Sequence, residues 1–233
     1  MNTVRTLPPR RGSFIVFEGG DGAGKGTQIE MLVTWLRGNG HDVLVTREPG
    51  ATPLGARLRE ILLHGEENDA RAETLLFAAD RAQHVSQVIA PALSAGTTVV
   101  CDRYIDSSLA YQGANHVAEA ELEMIARISD WAARGLVPDL TVLLDIDAAE
   151  GLARVRGRAT ADTMESRTLE YHQRVAQRFR DLAAAAPWRY VVVDAAADAK
   201  LQAAVIRHVV GDRLYRATFG ASVEHAAQKV MVG

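Results

Sequence analysis

Between residues 19 and 27 the chain reads Gly-Gly-Asp-Gly-Ala-Gly-Lys-Gly-Thr, a run whose chemistry is anion capture. Gly19, four intervening residues (Gly20, Asp21, Gly22, Ala23) and then Gly24-Lys25 have the spacing of a phosphate-binding loop. Glycine backbones, free of Cβ, can turn successive N–H groups inward around a polyphosphate. A helix starting at the end of the loop directs its positive N-terminal end at the same anion. Lys25 then reaches the outer phosphates as a mobile cation. These residues predict a bound nucleoside triphosphate; the plain alternative is a glycine-rich turn between strand and helix. The position after the lysine, where a magnesium-binding hydroxyl commonly stands, holds Gly26, and Thr27 is the hydroxyl within reach.

A second constellation follows the apolar run Val99-Val100-Cys101, which ends in Asp102-Arg103-Tyr104. In a phosphate-loop protein an aspartate at such a strand end commonly faces magnesium or its waters, so Asp102 and Thr27 are the candidate metal contacts. A hydrolytic switch does not need the arginine that follows. A second anionic substrate does. The alternative is an Asp–Arg surface pair at a strand terminus. The histidines, seven in all, form no metal-ligand spacing with the lone Cys101, so a zinc site is not expected.

Positioning these residues requires strands that end where the polar groups begin. Short apolar, β-branched runs predict strands over Phe14–Glu18, Val43–Arg47, Thr97–Asp102, Leu140–Asp145 and Tyr190–Val193. Amphipathic patterns predict helices over Lys25–Arg37, Leu54–Leu63, Arg71–Ser94, Glu119–Arg134, Ala148–Arg156, Met164–Ala185 and Ala199–Val209. The alternation predicts an α/β fold: a five-stranded parallel sheet, helices on both faces, and ligands at the carboxyl ends of the strands. At 233 residues and 48% hydrophobic, the chain can bury one substantial core. A net charge of −3 gives no global attraction for a nucleic-acid polymer or an anionic membrane. One cysteine and no apolar run of membrane-spanning length fit a reducing, cytoplasmic setting. Residues 1–12 read as a flexible N-terminal extension and 213–233 as a C-terminal one, flanking a single domain over 13–212.

The stretch Val100-Cys-Asp-Arg-Tyr-Ile-Asp-Ser-Ser-Leu-Ala-Tyr-Gln112 closely resembles the signature of bacterial thymidylate kinases. The resemblance continues through Thr46-Arg-Glu-Pro-Gly50, Leu76-Phe-Ala-Ala-Asp-Arg81 and Pro138–Asp145, in the family's order, across roughly residues 13–210. It implies a P-loop nucleoside monophosphate kinase fold with a small lid. It also implies transfer of the γ-phosphate of ATP to dTMP with Mg²⁺, in a homodimer. On this resemblance Arg103 and Arg59 grip the dTMP phosphate. Asp21 contacts the sugar 3′-hydroxyl or positions phosphate and metal, and Glu48-Pro49 lies near the acceptor. Phe77 stacks on thymine and Arg81, one turn later on the same face, reaches the base edge. Ser107, Ser108, Tyr111 and Gln112 line the sugar and base pocket. Plainer readings are Phe77 and Tyr111 as packed aromatics and Arg81 in a solvated helix pair with the neighbours of Asp80 or with Glu73. His84, a turn beyond Arg81, is read as structural.

Phosphoryl transfer needs cations around the migrating group, and the loop interior offers no arginine. Family members with such a loop carry one in the lid, which maps to about residues 156–165 and makes Arg156 and Arg158 the candidates. A solvated basic helix end is the alternative. The chain departs from its relatives at Asp162-Thr163-Met164-Glu165, where an arginine commonly replaces Thr163. The Gly-Lys-Gly-Thr ending of the loop is similar to that of adenylate kinases. The competing expectations are a kinase for another deoxynucleoside monophosphate and a nucleotide-dependent switch. The chain lacks an Asn-Lys-x-Asp guanine-reading motif.

Overall fold

A computed structural model describes residues 11–66, 68–115, 118–155 and 167–214. Five strands, β1 (Phe14–Glu18), β2 (Val43–Arg47), β3 (Thr98–Asp102), β4 (Leu140–Asp145) and β5 (Tyr190–Asp194), form one sheet in the order β2-β3-β1-β4-β5. All four pairings are parallel, with Ile15 opposite Val100 on one side and Leu140 on the other. Every residue of β1 is buried, as a central strand covered on both faces requires. Each strand lies within one residue of its apolar run.

The helices are α1 (Lys25–Gly38), α2 (Pro53–His64), α3 (Ala70–His84), α4 (Ala90–Ser94), α5 (Ile105–Ala114), α6 (Glu119–Ala133), α7 (Ala148–Val155) and α8 (Leu169–Ala185). Residues 199–214 form a further helix, α9. Strand periodicity divides the core into layers. Ile15 and Phe17 pack with Ile29, Leu32 and Leu36 of α1 and Ile206 and Val210 of α9. Phe14 and Val16 face the opposite layer with Val85, Ile89 and Leu93. Helix α5 joins that second side, packing Ala110 and Tyr111 with Leu143 and with Tyr171, Val175 and Phe179 of α8. The connections leaving β1 and its neighbour β3 therefore run to opposite faces, opening a crevice at their carboxyl ends.

Two departures from the sequence reading have physical causes. The helix predicted over Arg71–Ser94 is interrupted by a π-helical turn at Val85–Ile89. Pro91 follows it, donates no hydrogen bond and crowds the preceding turn, which widening accommodates. Helix α5 was not predicted at all, because it has no polar face to give periodicity. Asp106, Ser108, Ala110, Tyr111, Gln112, Gly113 and Ala114 are all buried. Helix α8 begins at Leu169, where the Thr168 hydroxyl accepts from Tyr171 N at 3.3 Å. The lid expected near residues 156–165, with Arg156 and Arg158, lies outside the described residues.

Candidate active site

The loop after β1 is built by close backbone approach. A Cβ at Gly22 would overlap the carbonyl oxygen of Gly151 in α7, and φ there is +75°. At Gly19, with φ +135°, it would strike the carbonyl oxygen of Leu144. Lys25 opens α1 and folds back over the loop, donating to the carbonyls of Gly19 at 2.9 Å and Gly20 at 3.1 Å. Burial, then the Arg103 charge, push its ammonium down to about 8, against the pull of Asp102, Asp21 and Glu18.

Arg103, immediately beyond β3, is the node opposite the loop. Its backbone sits in the left-handed region at φ +68°, a strained setting for a side-chain-bearing residue. Its N–H donates to Phe17 O at 2.9 Å, which ties the turn to β1. The guanidinium donates to Asp21 Oδ1 at 2.6 Å, Tyr111 Oη at 3.0 Å, Ser107 Oγ at 3.1 Å and Gly19 O at 3.3 Å. Burial alone would raise the Asp21 carboxyl, but Arg103 and then Lys25 hold it below the usual carboxylate range. Glu18 anchors α5 from below: it accepts from Tyr104 N at 2.8 Å, Ser107 N at 3.1 Å and Ser107 Oγ at 2.6 Å. Burial, and next the charge of Asp106, push the Glu18 carboxyl up to about 7.

At the far end, Arg81 is almost fully buried. Its Nε donates to Glu48 Oε2 at 2.9 Å, and Nη2 donates to Tyr104 O and Ser108 Oγ, both at 3.0 Å. Glu48 precedes Pro49 across a cis peptide bond. The Pro49 carbonyl accepts from Arg59 Nη1 at 2.9 Å. The partner of Arg81 is therefore not Glu73, which accepts from Arg167 Nη2 at 2.6 Å and Gln112 Nε2 at 3.0 Å.

These groups converge. Asp21, Gly22, Ala23, Gly24, Lys25, Gly26, Thr27, Glu48, Pro49, Arg59, Phe77, Arg81, Asp102, Arg103, Ser107, Ser108, Tyr111 and Gln112 all line one cavity of about 380 Å³. Gly19 and Gly20 lie beneath it as acceptors for Lys25. Phe77 is half-buried: it packs against the α5–α8 cluster and also lines the cavity. Asp102 Oδ1 is buried with no hydrogen-bond partner among the described residues. The sequence reading missed Leu63 and Tyr104 in the lining, and Glu18 behind it. An acid closing an apolar strand just before the loop was the available signal for Glu18. A cavity with a phosphate loop at one end and an arginine, an aromatic face and amides at the other can hold two anionic ligands against each other.

A family model described as thymidylate kinase matches residues 17–205. A thymidylate kinase from Clavibacter michiganensis subsp. michiganensis is 54% identical over 200 residues, covering 84% of this chain and 93% of that one. One from Synechococcus sp. is 51% identical over 207 residues (89% and 98% covered), and one from Cutibacterium acnes is 48% identical over 207 residues (88% and 99%).

Proposed function

The chain belongs to the thymidylate kinase family, and from that membership we infer that it transfers the γ-phosphate of ATP to dTMP, giving dTDP. The observation that carries the residue-level reading is the single cavity joining the loop Gly19–Thr27 to the Arg103–Tyr111 wall. The loop amides and the start of α1 receive the triphosphate, and Lys25 stands where charge builds on the migrating group. Arg103, now held by Asp21, Ser107 and Tyr111, is the cation within reach of an acceptor phosphate. Its fixed backbone and multiple tethers let it bring one anion to another without first being ordered. Arg59 supports it from the Pro49 side. Phe77 supplies an apolar face for the base, and Tyr111 narrows the sugar side. Arg81 offers only donors, which suit a carbonyl at the base edge.

Magnesium in such kinases rides on phosphate oxygens with one or two protein ligands, so a dedicated cage is not required. The residues fit that mode: Asp102 presents an unpartnered buried oxygen and Thr27 lies on the same cavity. The ion supplies charge stabilisation on the phosphates when bound. Among the described residues no cluster of three acids, histidines or cysteines forms a cage. Arg156 and Arg158 are proposed, on the family resemblance, to add positive charge over the triphosphate. A homodimer in the cytoplasm completes the reading; no helix among the described residues is long and apolar enough to cross a membrane.

Incubating the protein with ATP–Mg²⁺, with and without dTMP, and separating the nucleotides by chromatography tests it. The expected result is dTDP and ADP in equal amounts, with little ADP when dTMP is omitted. ADP formation indifferent to dTMP would mark a nucleotide-hydrolysing switch instead.

A further inference from the structure

Behind the base end of the cavity, a line of buried polar side chains runs from β2 to the cavity wall. Thr46 Oγ1 lies 2.6 Å from His84 Nε2, and His84 Nδ1 lies 2.9 Å from Glu48 Oε1. The other Glu48 oxygen accepts from Arg81 Nε. Arg81 Nη2 is held by Tyr104 O and Ser108 Oγ, while Nη1 is buried without a hydrogen-bond partner among the described residues. His84 is fully buried and is not part of the cavity lining. It therefore acts on a ligand only through what it holds. Burying a histidine, a carboxylate and a guanidinium together is costly, and an apolar core would pack in the same space.

A guanidinium is rigid and planar, so fixing Nε and Nη2 also fixes the direction of Nη1. The Nε anchor is only as firm as the Glu48 carboxylate, and His84 grips that carboxylate from behind. A carboxylate oxygen accepts, so the Nδ1 side of the ring grips Glu48 from behind, and the Thr46 hydroxyl holds the ring at Nε2 on its other side. We propose that His84, backed by Thr46, is a positioning residue for acceptor choice: it holds Glu48 and thereby aims Arg81 Nη1 at the carbonyl edge of the nucleobase. This rests on the reading of the cavity as a dTMP site.

The test is steady-state kinetics with dTMP, dCMP and ATP for the unmodified protein, His84→Phe, His84→Gln and Thr46→Val. His84→Phe keeps a ring but removes both hydrogen bonds. It is expected to raise the KM for dTMP and lower the dTMP-over-dCMP ratio of kcat/KM, each about tenfold, the scale of one lost buried hydrogen bond. The KM for ATP should stay within about twofold. His84→Gln, which can still donate to Glu48, should fall between the two. Thr46→Val leaves the ring in place and should shift the ratio a few-fold in the same direction, which decides the matter if His84→Phe fails to fold. Unchanged selectivity in the folded variants, or equal losses for dTMP and ATP, would overturn the inference alone. An unmodified protein with no preference for dTMP would overturn the cavity reading and the inference with it.

Discussion

Lys25, buried, and Arg103, partly exposed, are cations on one cavity, and the proposed function has them meet different moments of the reaction. If Lys25 lies where charge develops, as proposed, Lys25→Ala should lower kcat far more than it weakens dTMP binding, by about 10²–10³. On the same proposal Arg103 meets a charge present before and during transfer, so Arg103→Ala should raise the KM for dTMP as well as lower kcat. Near-normal turnover in the lysine variant would refute the loop assignment. Glu18 adds a test by titration. Burial chiefly pushes its carboxyl up to about 7 in the folded chain, from an ordinary 4.5. Between those values the folded state keeps a proton that the unfolded state has released, so this group's contribution falls as pH rises from 4.5 and is fully unfavourable above 7. Denaturant unfolding of the unmodified protein and Glu18→Gln should therefore show the unmodified chain losing ground to the variant between pH 5 and pH 8. A difference constant across that range would contradict the assignment.

The elements that matter most are those that bring backbones together. Gly151 opens the contact between α7 and the phosphate loop, since a Cβ there would overlap the carbonyl oxygen of Asp21. Gly151→Ala must displace backbone on one side. It should lower the melting temperature by several degrees, and raise the KM for ATP more than that for dTMP. Equal KM values with a lowered melting temperature would confine the contact to stability. The strands were legible in the sequence because each is a short apolar, β-branched run, buried almost throughout in β1, β3 and β4 and alternately exposed in the edge strands β2 and β5, and the loop because its glycines and lysine stand at fixed spacing. Helix α5 was not, since burial on every side erased its periodicity although it carries Ser107, Ser108, Tyr111 and Gln112. Most residues lining the cavity could be named from the chain alone. Their ties could not: Arg81 meets Glu48 only because β2 and α3 are brought together across 33 positions of sequence.

The whole molecule places a triphosphate loop and an arginine-lined second site in one cavity between the connections leaving β1 and β3. On the proposed function the arginine-lined end of the cavity selects a thymine-bearing deoxynucleotide. Arg81 has donors and no acceptor, so a cytosine amino group would leave a buried donor facing a donor; polar-reading sites turn such losses into discrimination of about 10⁴–10⁵. The thymine methyl is one apolar group, so dUMP should be about 10–200-fold poorer than dTMP and still detectable. Tyr111, proposed to face the sugar, should disfavour a 2′-hydroxyl. The most direct measurement is kcat/KM for dTMP, dUMP, dCMP and UMP at saturating ATP–Mg²⁺, by coupled detection of ADP. The predicted order is dTMP, then dUMP, with dCMP and UMP far behind; efficient phosphorylation of dCMP by the unmodified protein would contradict it.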